Sequence, residues 1–214
     1  MGDRQLMGWW HNAAMIISHL HRFIFIKTRK TAGTSIEVFL SSVCGDGDVV
    51  TPVIPHVWPH ASRNHKGFFN HMGAPKIRQA VGDDMWNRYF KFCVERNPWD
   101  KTLSDFYMQR ARVNPSLALD RYLESGKLPR NAVQYYSETE GLLVDRVARF
   151  ERLDSELGEI FSRLGIPFAG SLGVRAKGEY RNDRRHYRDV FTDQQARIVG
   201  DIFSDEIALH GYTY

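Results

Sequence analysis

Small, hydroxylated and basic residues are crowded into one short stretch of this chain, which contains Lys30, Thr31, Ala32, Gly33, Thr34 and Ser35 in succession. The alanine and glycine would let the backbone approach an anion closely, and the three hydroxyl groups can donate hydrogen bonds to its oxygens. The lysine would add a mobile positive charge beside a leaving group. Together these residue types predict a cradle for a phosphate or sulfate group.

A second set of residues that suits an anion lies further along, in Arg96-Asn97-Pro98 and at Ser104. The guanidinium of Arg96 can bind a phosphate through two parallel N–H donors, and Ser104, on the helix that should follow, can reach the same group. The alternative is that Arg96 pairs with Asp100 or Glu95 and that Ser104 lies on a solvated helix face. The occurrence of two such sets in one chain favours anion binding.

Each set follows a predicted β-strand and opens a predicted helix. Residues 23–26 are apolar on consecutive positions, as in a strand that is covered on both faces, and residues 90–94 are predicted as a second strand. Asn97 and Pro98 are typical of the N-cap and first residue of a helix. Because a helix N-terminus exposes unpaired N–H groups and the positive end of the helix dipole, both loops are suited to hold an anion.

The same alternation continues to the end of the chain. Residues 147–150 are predicted as a third strand, Asp154 as the N-cap of the helix that follows, and Thr192 as the N-cap of a last helix through Leu209. Strands that alternate with helices of this length predict parallel βαβ units. We expect an α/β fold, with residues 1–214 forming a single three-layer domain around a central, mainly parallel β-sheet flanked by helices.

The composition narrows the classes of protein to consider. The 214 residues are 43% hydrophobic, enough for one sizeable core, and a net charge of +4 favours an anionic partner. Cys44 and Cys93 cannot form a disulfide framework and lack the spacing of metal ligands. The apolar N-terminal residues are interrupted by histidines and by Arg22, and no secretion signal is recognisable. We expect a cytoplasmic protein without a transmembrane segment.

The two sets resemble the signatures of the PAPS-dependent sulfotransferases, particularly bacterial and carbohydrate-type members. The Lys-Thr-Ala-Gly-Thr-Ser element of that family matches residues 30–35, and its Arg-Asn-Pro followed by a serine matches residues 96–98 and Ser104. Weaker similarity extends from about Ile16 to Tyr212. The chain departs from the family at residues 27–29, which read Lys-Thr-Arg where many members have His-Ile-Pro. The division of roles among the three basic residues of this loop therefore stays open.

The resemblance implies a P-loop-NTPase-like sulfotransferase fold and an enzyme that moves a sulfuryl group from 3′-phosphoadenosine-5′-phosphosulfate (PAPS) to a hydroxyl acceptor, preferably a carbohydrate or glycolipid. It implies that Lys30 to Ser35 hold the 5′-phosphosulfate and that Arg96 and Ser104 hold the 3′-phosphate. By analogy, a late basic loop with Lys177, Gly178 and Arg181 would close over the adenosine bisphosphate. The alternative for this loop is a solvated basic face that binds an acidic acceptor.

Sulfuryl transfer makes the same demands as phosphoryl transfer, namely in-line attack and stabilisation of charge on the bridging oxygen. Lys30 is the candidate for stabilising the departing phosphate, and no metal is required. A general base should accept the proton of the acceptor hydroxyl. The resemblance favours His71 for this role, with His60 and His65 as rivals in the same irregular segment.

Two other classes of protein compete with this interpretation. A nucleotide kinase with a degenerate phosphate loop would need magnesium, but the motif G-x-x-x-x-G-K-[ST] is absent and the lysine here precedes the glycine. A non-catalytic module that binds an anion or nucleic acid would bind less tightly as salt rises, but no helix-turn-helix, zinc-finger or RNP signature is present. We therefore expect no nucleic-acid partner.

Overall fold

A computed structural model describes residues 15–69, 71–176, 178–181 and 183–214. The strands are β1 (Ile16–Ser18), β2 (Phe23–Phe25), β3 (Val49–Val50), β4 (Phe90–Glu95), β5 (Tyr136–Ser137), β6 (Gly141–Leu142) and β7 (Arg146–Arg149). The α-helices are α1 (Gly33–Val43), α2 (Ala74–Val81), α3 (Asp83–Arg88), α4 (Pro98–Arg112), α5 (Leu119–Glu124), α6 (Ala132–Tyr135), α7 (Leu153–Arg163), α8 (Asp193–Ile202) and α9 (Ser204–His210). Within these ranges no helix is both long and apolar enough to cross a membrane.

The main sheet has five strands in the order β3-β1-β2-β4-β7, and β5 and β6 form a separate hairpin. Strand β4 runs parallel to β2 and β7, whereas β1 is antiparallel to β2 and β3. The α/β prediction is confirmed, but the prediction of a mainly parallel sheet is wrong because the sheet is mixed. Only four residues, 19–22, join β1 to β2. A connection this short permits a hairpin but not the crossover that parallel strands need.

Strand β2 is covered on both faces, as its unbroken apolar sequence predicts. Phe23 and Phe25 belong to a core that includes buried residues of α1 and α7. Ile24, and Ile26 just beyond the strand, belong to a second core on the opposite face with residues of α2, α3 and α6. Helices therefore lie against both faces of the sheet, which fixes the end of β2 and the loop that leaves it.

A third apolar cluster holds α4 in place. It joins α4 to α5 and α8 through buried residues that include Trp99, Leu103, Tyr122 and Val199. The predicted N-cap of α4 is confirmed, because the side-chain oxygen of Asn97 accepts hydrogen bonds from the backbone N–H groups of the second and third helical residues. This helix is thereby anchored both at its start and along its length.

Two other helix boundaries differ from the predictions. Asp154 is not an N-cap, because a 3-10 turn at Phe150–Arg152 precedes α7 and places Asp154 inside its first turn. Thr192 does cap α8, in a capping box with Gln195, but the expected long helix is interrupted at Phe203 before α9 begins. Phe203, the residue between the two helices, is buried in the third apolar cluster, so the chain is held by apolar contacts at the point where the helix is interrupted.

Candidate anion-binding site

The segments that follow β2 and β4 line one cavity of about 1030 Å³. Because these strands are parallel neighbours, their carboxyl ends meet at the same edge of the sheet, where α/β proteins commonly bind ligands. The described candidate residues all line this cavity: Lys30, Thr31, Ala32, Gly33, Thr34, Ser35, His71, Arg96, Ser104, Gly178 and Arg181. Lys177 lies outside the described residues.

The loop that enters α1 has an unusual backbone. Lys30 and Ala32 both adopt the left-handed conformation, with φ of 64° and 61°. Non-glycine residues seldom adopt it, and such residues cluster at ligand-binding sites. At Gly33 a Cβ atom would lie 2.5 Å from Cγ of Lys27, so the glycine lets the Lys27 side chain pass directly beneath the start of the helix.

The basic residues of this loop have different partners. Lys27 is buried, and its Nζ lies 2.7 Å from Oε2 of the fully buried Glu37. A guanidinium nitrogen of Arg29 lies 3.7 Å from Oδ1 of Asp105. Lys30 Nζ instead lies 3.3 Å from Sδ of Met108 on the cavity wall formed by α4. Lys27 thus forms a buried ion pair, whereas the amine of Lys30 lies against α4 at the wall of the cavity.

Asn131 fixes the backbone of the same loop from a distant part of the chain. Its Oδ1 accepts a hydrogen bond of 2.9 Å from the backbone N–H of Arg29, and its Nδ2 donates one of 3.0 Å to the Arg29 carbonyl. The side chain therefore pairs with Arg29 as a neighbouring strand would. Asn131 is fully buried. No local sequence signal predicts this contact, because it joins residues 102 positions apart.

Arg96 and Arg181 share one carboxylate at the wall of the cavity. Arg96 donates to Oδ2 of Asp100 through Nε at 2.9 Å and through a terminal nitrogen at 2.7 Å, and Arg181 donates to Oδ1 at 2.6 Å. Arg96 also stacks 4.0 Å from the ring centre of Phe150. The alternative pairing with Asp100 is thus observed, yet Arg96 still lines the cavity.

The electrostatics of this group favour an additional anion. Burial tends to raise the pKa of Asp100, but Arg96 and Arg181 outweigh it and the pKa is lowered. Burial lowers the pKa of Arg96 against the opposing effect of Asp100, although a guanidinium remains protonated in proteins. These two arginines and one carboxylate carry one net positive charge between them, and Glu151, which also lines the cavity, acts on Arg96 as a second negative charge.

The late basic segment contacts both α1 and α4. The backbone N–H of Ala176 donates a 3.0 Å hydrogen bond to Oγ of Ser35. Tyr107 of α4 donates to Asp183, whose backbone oxygen accepts from Nε of Arg181. Because the Ser35 oxygen acts as an acceptor for Ala176, its own hydroxyl proton can be donated to an anion in the cavity.

The imidazole of His71 has a defined tautomer. Its Nδ1 lies 2.9 Å from the backbone oxygen of Lys27, and since a carbonyl can only accept, Nδ1 carries a proton; in the neutral imidazole Nε2 then carries the lone pair. The rivals are placed differently: His60 is buried and bonded to the Thr51 carbonyl, and neither His60 nor His65 lines the cavity. The geometry therefore favours His71 among the three as a proton acceptor.

Sequence reasoning missed several residues of this site. Met108 and Arg112 continue the row that Asp100 and Ser104 begin on α4, at a constant spacing of four residues. That spacing was a visible signal, because such residues share one helix face. Phe150, by contrast, reaches Arg96 from the end of β7 and has no local signal. Among the described residues, no group of three or more His, Cys, Asp or Glu side chains is arranged to hold a metal ion.

Comparisons with known proteins add little about activity. No protein-family model matches the chain. An uncharacterised protein from Archaeoglobus fulgidus is 29% identical over 102 residues, which cover 45% of this chain and 84% of that protein. That relative has no described activity, so the evidence for function lies in the cavity and its residues.

Proposed function

We propose that this chain is an enzyme that transfers a sulfuryl group from PAPS to a hydroxyl group, preferably of a carbohydrate or glycolipid. The main observation in support is that the two predicted anion-binding loops leave neighbouring parallel strands and line the same cavity. The strand, loop and helix of β2 and α1 are also consistent with a P-loop-like sulfotransferase fold, which we include in the proposal.

The charges and size of the cavity suit such a donor. PAPS carries anionic groups on both sides of its ribose. Lys30 and the start of α1 would hold the 5′-phosphosulfate, and Arg96, Ser104 and Arg181 would hold the 3′-phosphate. The volume of about 1030 Å³ is at the upper end of the usual range of ~300–1000 Å³ for ligand pockets, so an acceptor can enter beside the donor.

In the proposed reaction, His71 Nε2 takes the proton of the acceptor hydroxyl as the oxygen bonds to sulfur. Lys30 stabilises the negative charge that develops on the bridging oxygen as the bond between sulfur and that oxygen breaks. The backbone N–H groups at the start of α1 hold the neighbouring oxygens. Each contact that strengthens in the transition state contributes about 3 kcal/mol. The products are the sulfated acceptor and adenosine 3′,5′-bisphosphate.

Calorimetric titration with adenosine 3′,5′-bisphosphate and with ATP tests the donor assignment. We expect the bisphosphate to bind more tightly, because the cavity presents positive charge at two separate places. Arg96→Ala should weaken bisphosphate binding by about 10- to 100-fold, the value of one charge-assisted contact. Asp100 would still pair with Arg181 in this variant, so no unpaired buried carboxylate is created.

Arg88→Ala is a matched control, because it removes an exposed arginine on α3 that pairs with Asp84 and does not line the cavity. Its bisphosphate affinity should equal that of the parent. Tighter binding of ATP that depends on magnesium would favour a kinase instead. Failure to form adenosine 3′,5′-bisphosphate from PAPS with a panel of hydroxyl acceptors would exclude sulfuryl transfer to that panel.

A further inference from the structure

One face of α4 lines the cavity from its first turn to its end. Asp100, Ser104, Met108 and Arg112 all line the cavity, and their spacing of four residues places them on one side of the helix. Lys30 Nζ contacts Met108 at 3.3 Å. Lys30, which is expected to stabilise the leaving group, therefore contacts α4 about one turn before Arg112.

Arg112 differs from the cations at the other end of the cavity. Arg96 and Arg181 share Asp100, whereas Arg112 is exposed and makes no hydrogen bond or ion pair within the described part of the chain. Arg112 lies about 6 Å further along the helix axis than Met108, on the side away from Asp100. It is thus an uncompensated positive charge beyond the point where Lys30 meets the helix.

The residues of α4 that line the cavity next to Arg112 are uncharged. Met108, Gln109 and Val113, its neighbours on α4, also line the cavity. A guanidinium in such surroundings offers a planar pair of donors that matches a carboxylate, sulfate or phosphate. The anions of the donor are already assigned to Arg96 and to the loop before α1, so they do not account for Arg112.

We propose that Arg112 binds an anionic group of the acceptor, so that the preferred acceptor carries a carboxylate, sulfate or phosphate close to the hydroxyl that is modified. This inference rests on the proposed function and adds the charge of the acceptor to it. Because Arg112 lies about one helical turn, ~6 Å along the axis, beyond the residue that Lys30 contacts, the anion would lie on that side of the reacting atoms. Arg112 is therefore a specificity-determining residue.

The test measures acceptor binding after the donor end has been filled. With adenosine 3′,5′-bisphosphate at saturation, calorimetry compares a uronate-containing tetrasaccharide with a neutral tetrasaccharide. We expect the uronate-containing sugar to bind at least about tenfold more tightly, the value of one charge-assisted hydrogen bond. Arg112→Ala should remove that preference and leave bisphosphate affinity unchanged. Arg112→Lys, which keeps the charge but not the planar donors, should retain part of it.

Arg110→Ala is the matched control. Arg110 has the same charge and lies in the same last turn, but it packs 5.6 Å from the ring centre of Phe106 and does not line the cavity. Equal losses in the Arg110 and Arg112 variants, equal binding of the two sugars, or binding of neither would overturn the proposal. If the bisphosphate binds normally, those results leave the proposed donor intact. If the bisphosphate itself does not bind, the proposed function and this inference fail together.

Discussion

The position of His71 is determined by its backbone as well as its side chain. Its φ of 54° lies in the left-handed region, and its backbone oxygen accepts a 2.9 Å hydrogen bond from Nε2 of Gln134. The bond from Nδ1 to the Lys27 carbonyl connects it directly to the loop that precedes α1. A residue that replaces His71 must satisfy both requirements if the loop is to keep its shape.

His71→Asn is the substitution that best isolates the proton acceptor. Asparagine tolerates left-handed backbone, and its amide can donate to the Lys27 carbonyl, but it cannot take up a proton. We expect turnover to fall by about 10²- to 10⁴-fold, the usual contribution of general base catalysis, with bisphosphate affinity unchanged. Rates of adenosine 3′,5′-bisphosphate release and calorimetry measure the two quantities.

His65→Asn is the control for this experiment, because His65 lies in the same segment of the chain but outside the cavity lining. It should have the activity of the parent. A His71→Asn enzyme that is as active as the parent would remove His71 from the role of base, and the assignment of the donor site would not be affected.

Site residues could be predicted from the sequence where they lie beside a predicted strand or helix. Contacts between residues that are far apart in the sequence could not be predicted. The cradle of residues 30–35, Arg96 and Ser104 was recognisable because each lies directly after a strand or on the helix that follows it. Asn131 pairs with Arg29 only because the chain returns to β2 a hundred residues later. The partners of Lys27 and Arg29 were likewise undetermined until the burial of Glu37 and Asp105 was known.

At the scale of elements, the close contact between α1 and the end of β2 depends on Gly33. Gly33→Ala would place a Cβ atom 2.5 Å from Cγ of Lys27, which is held by the ion pair with Glu37. Overpacking of this kind costs about 1–3 kcal/mol, more than the gain of up to ~1 kcal/mol in helix propensity. We expect a lower free energy of unfolding in urea and weaker bisphosphate binding.

Gly47→Ala supplies the comparison, because a Cβ atom at Gly47 would meet no other atom within 4 Å. This variant should match the parent in stability and in bisphosphate affinity. If Gly33→Ala behaves like Gly47→Ala in both measurements, the packing of Lys27 beneath α1 is not a constraint on the loop.

Elements with a clear apolar pattern were easier to predict than elements without one. β2, β4 and α1 have clear hydrophobic patterns, and the structure confirms them. β1 is as short as β2, but His19 and His21 follow it closely and obscure its apolar character, and β3 has only two residues. The antiparallel pairing of β1 with β2 follows from the four-residue connection between them. The antiparallel pairing of β1 with β3 depends on contacts that form only in the folded chain, and both pairings make the sheet mixed.

At the scale of the whole molecule, a buried polar network connects elements that are far apart in sequence. Lys101 of α4 lies 2.8 Å from Glu95 of β4 and also pairs with Glu206 of α9. The hydroxyl of Tyr135 in α6 donates to Glu95 and meets Nε2 of His210 in α9. Breaking one member of such a network leaves another buried charge uncompensated, so the network constrains how these elements assemble.

This network predicts that stability depends on pH. Burial lowers the pKa of His210 to about 4; Glu206 opposes this change, and Arg149 and Lys101 reinforce it. An unfolded histidine has a pKa of about 6.5. Between these values the folded state binds fewer protons than the unfolded state, so the free energy of unfolding should decrease as pH falls from about 6.5 to about 4. Urea denaturation at several pH values across this window measures the effect.

His210→Gln separates this contribution from others. Glutamine can still donate to Tyr135 but does not titrate, so the dependence of unfolding free energy on pH should become weaker. It should not vanish, because burial also lowers the pKa of His60. An unchanged pH dependence in this variant would show that His210 does not contribute.

The straight row of residues along α4 also has a consequence for how acceptor choice can change. An insertion of one residue between Met108 and Arg112 would rotate everything after it by about 100° and turn Arg112 off the cavity. An insertion of a full turn would keep Arg112 close to its present orientation and carry it about 6 Å outward. Changes in helix length can therefore retune the separation between an acceptor's negative charge and its reactive oxygen, while the donor end of the helix stays as it is.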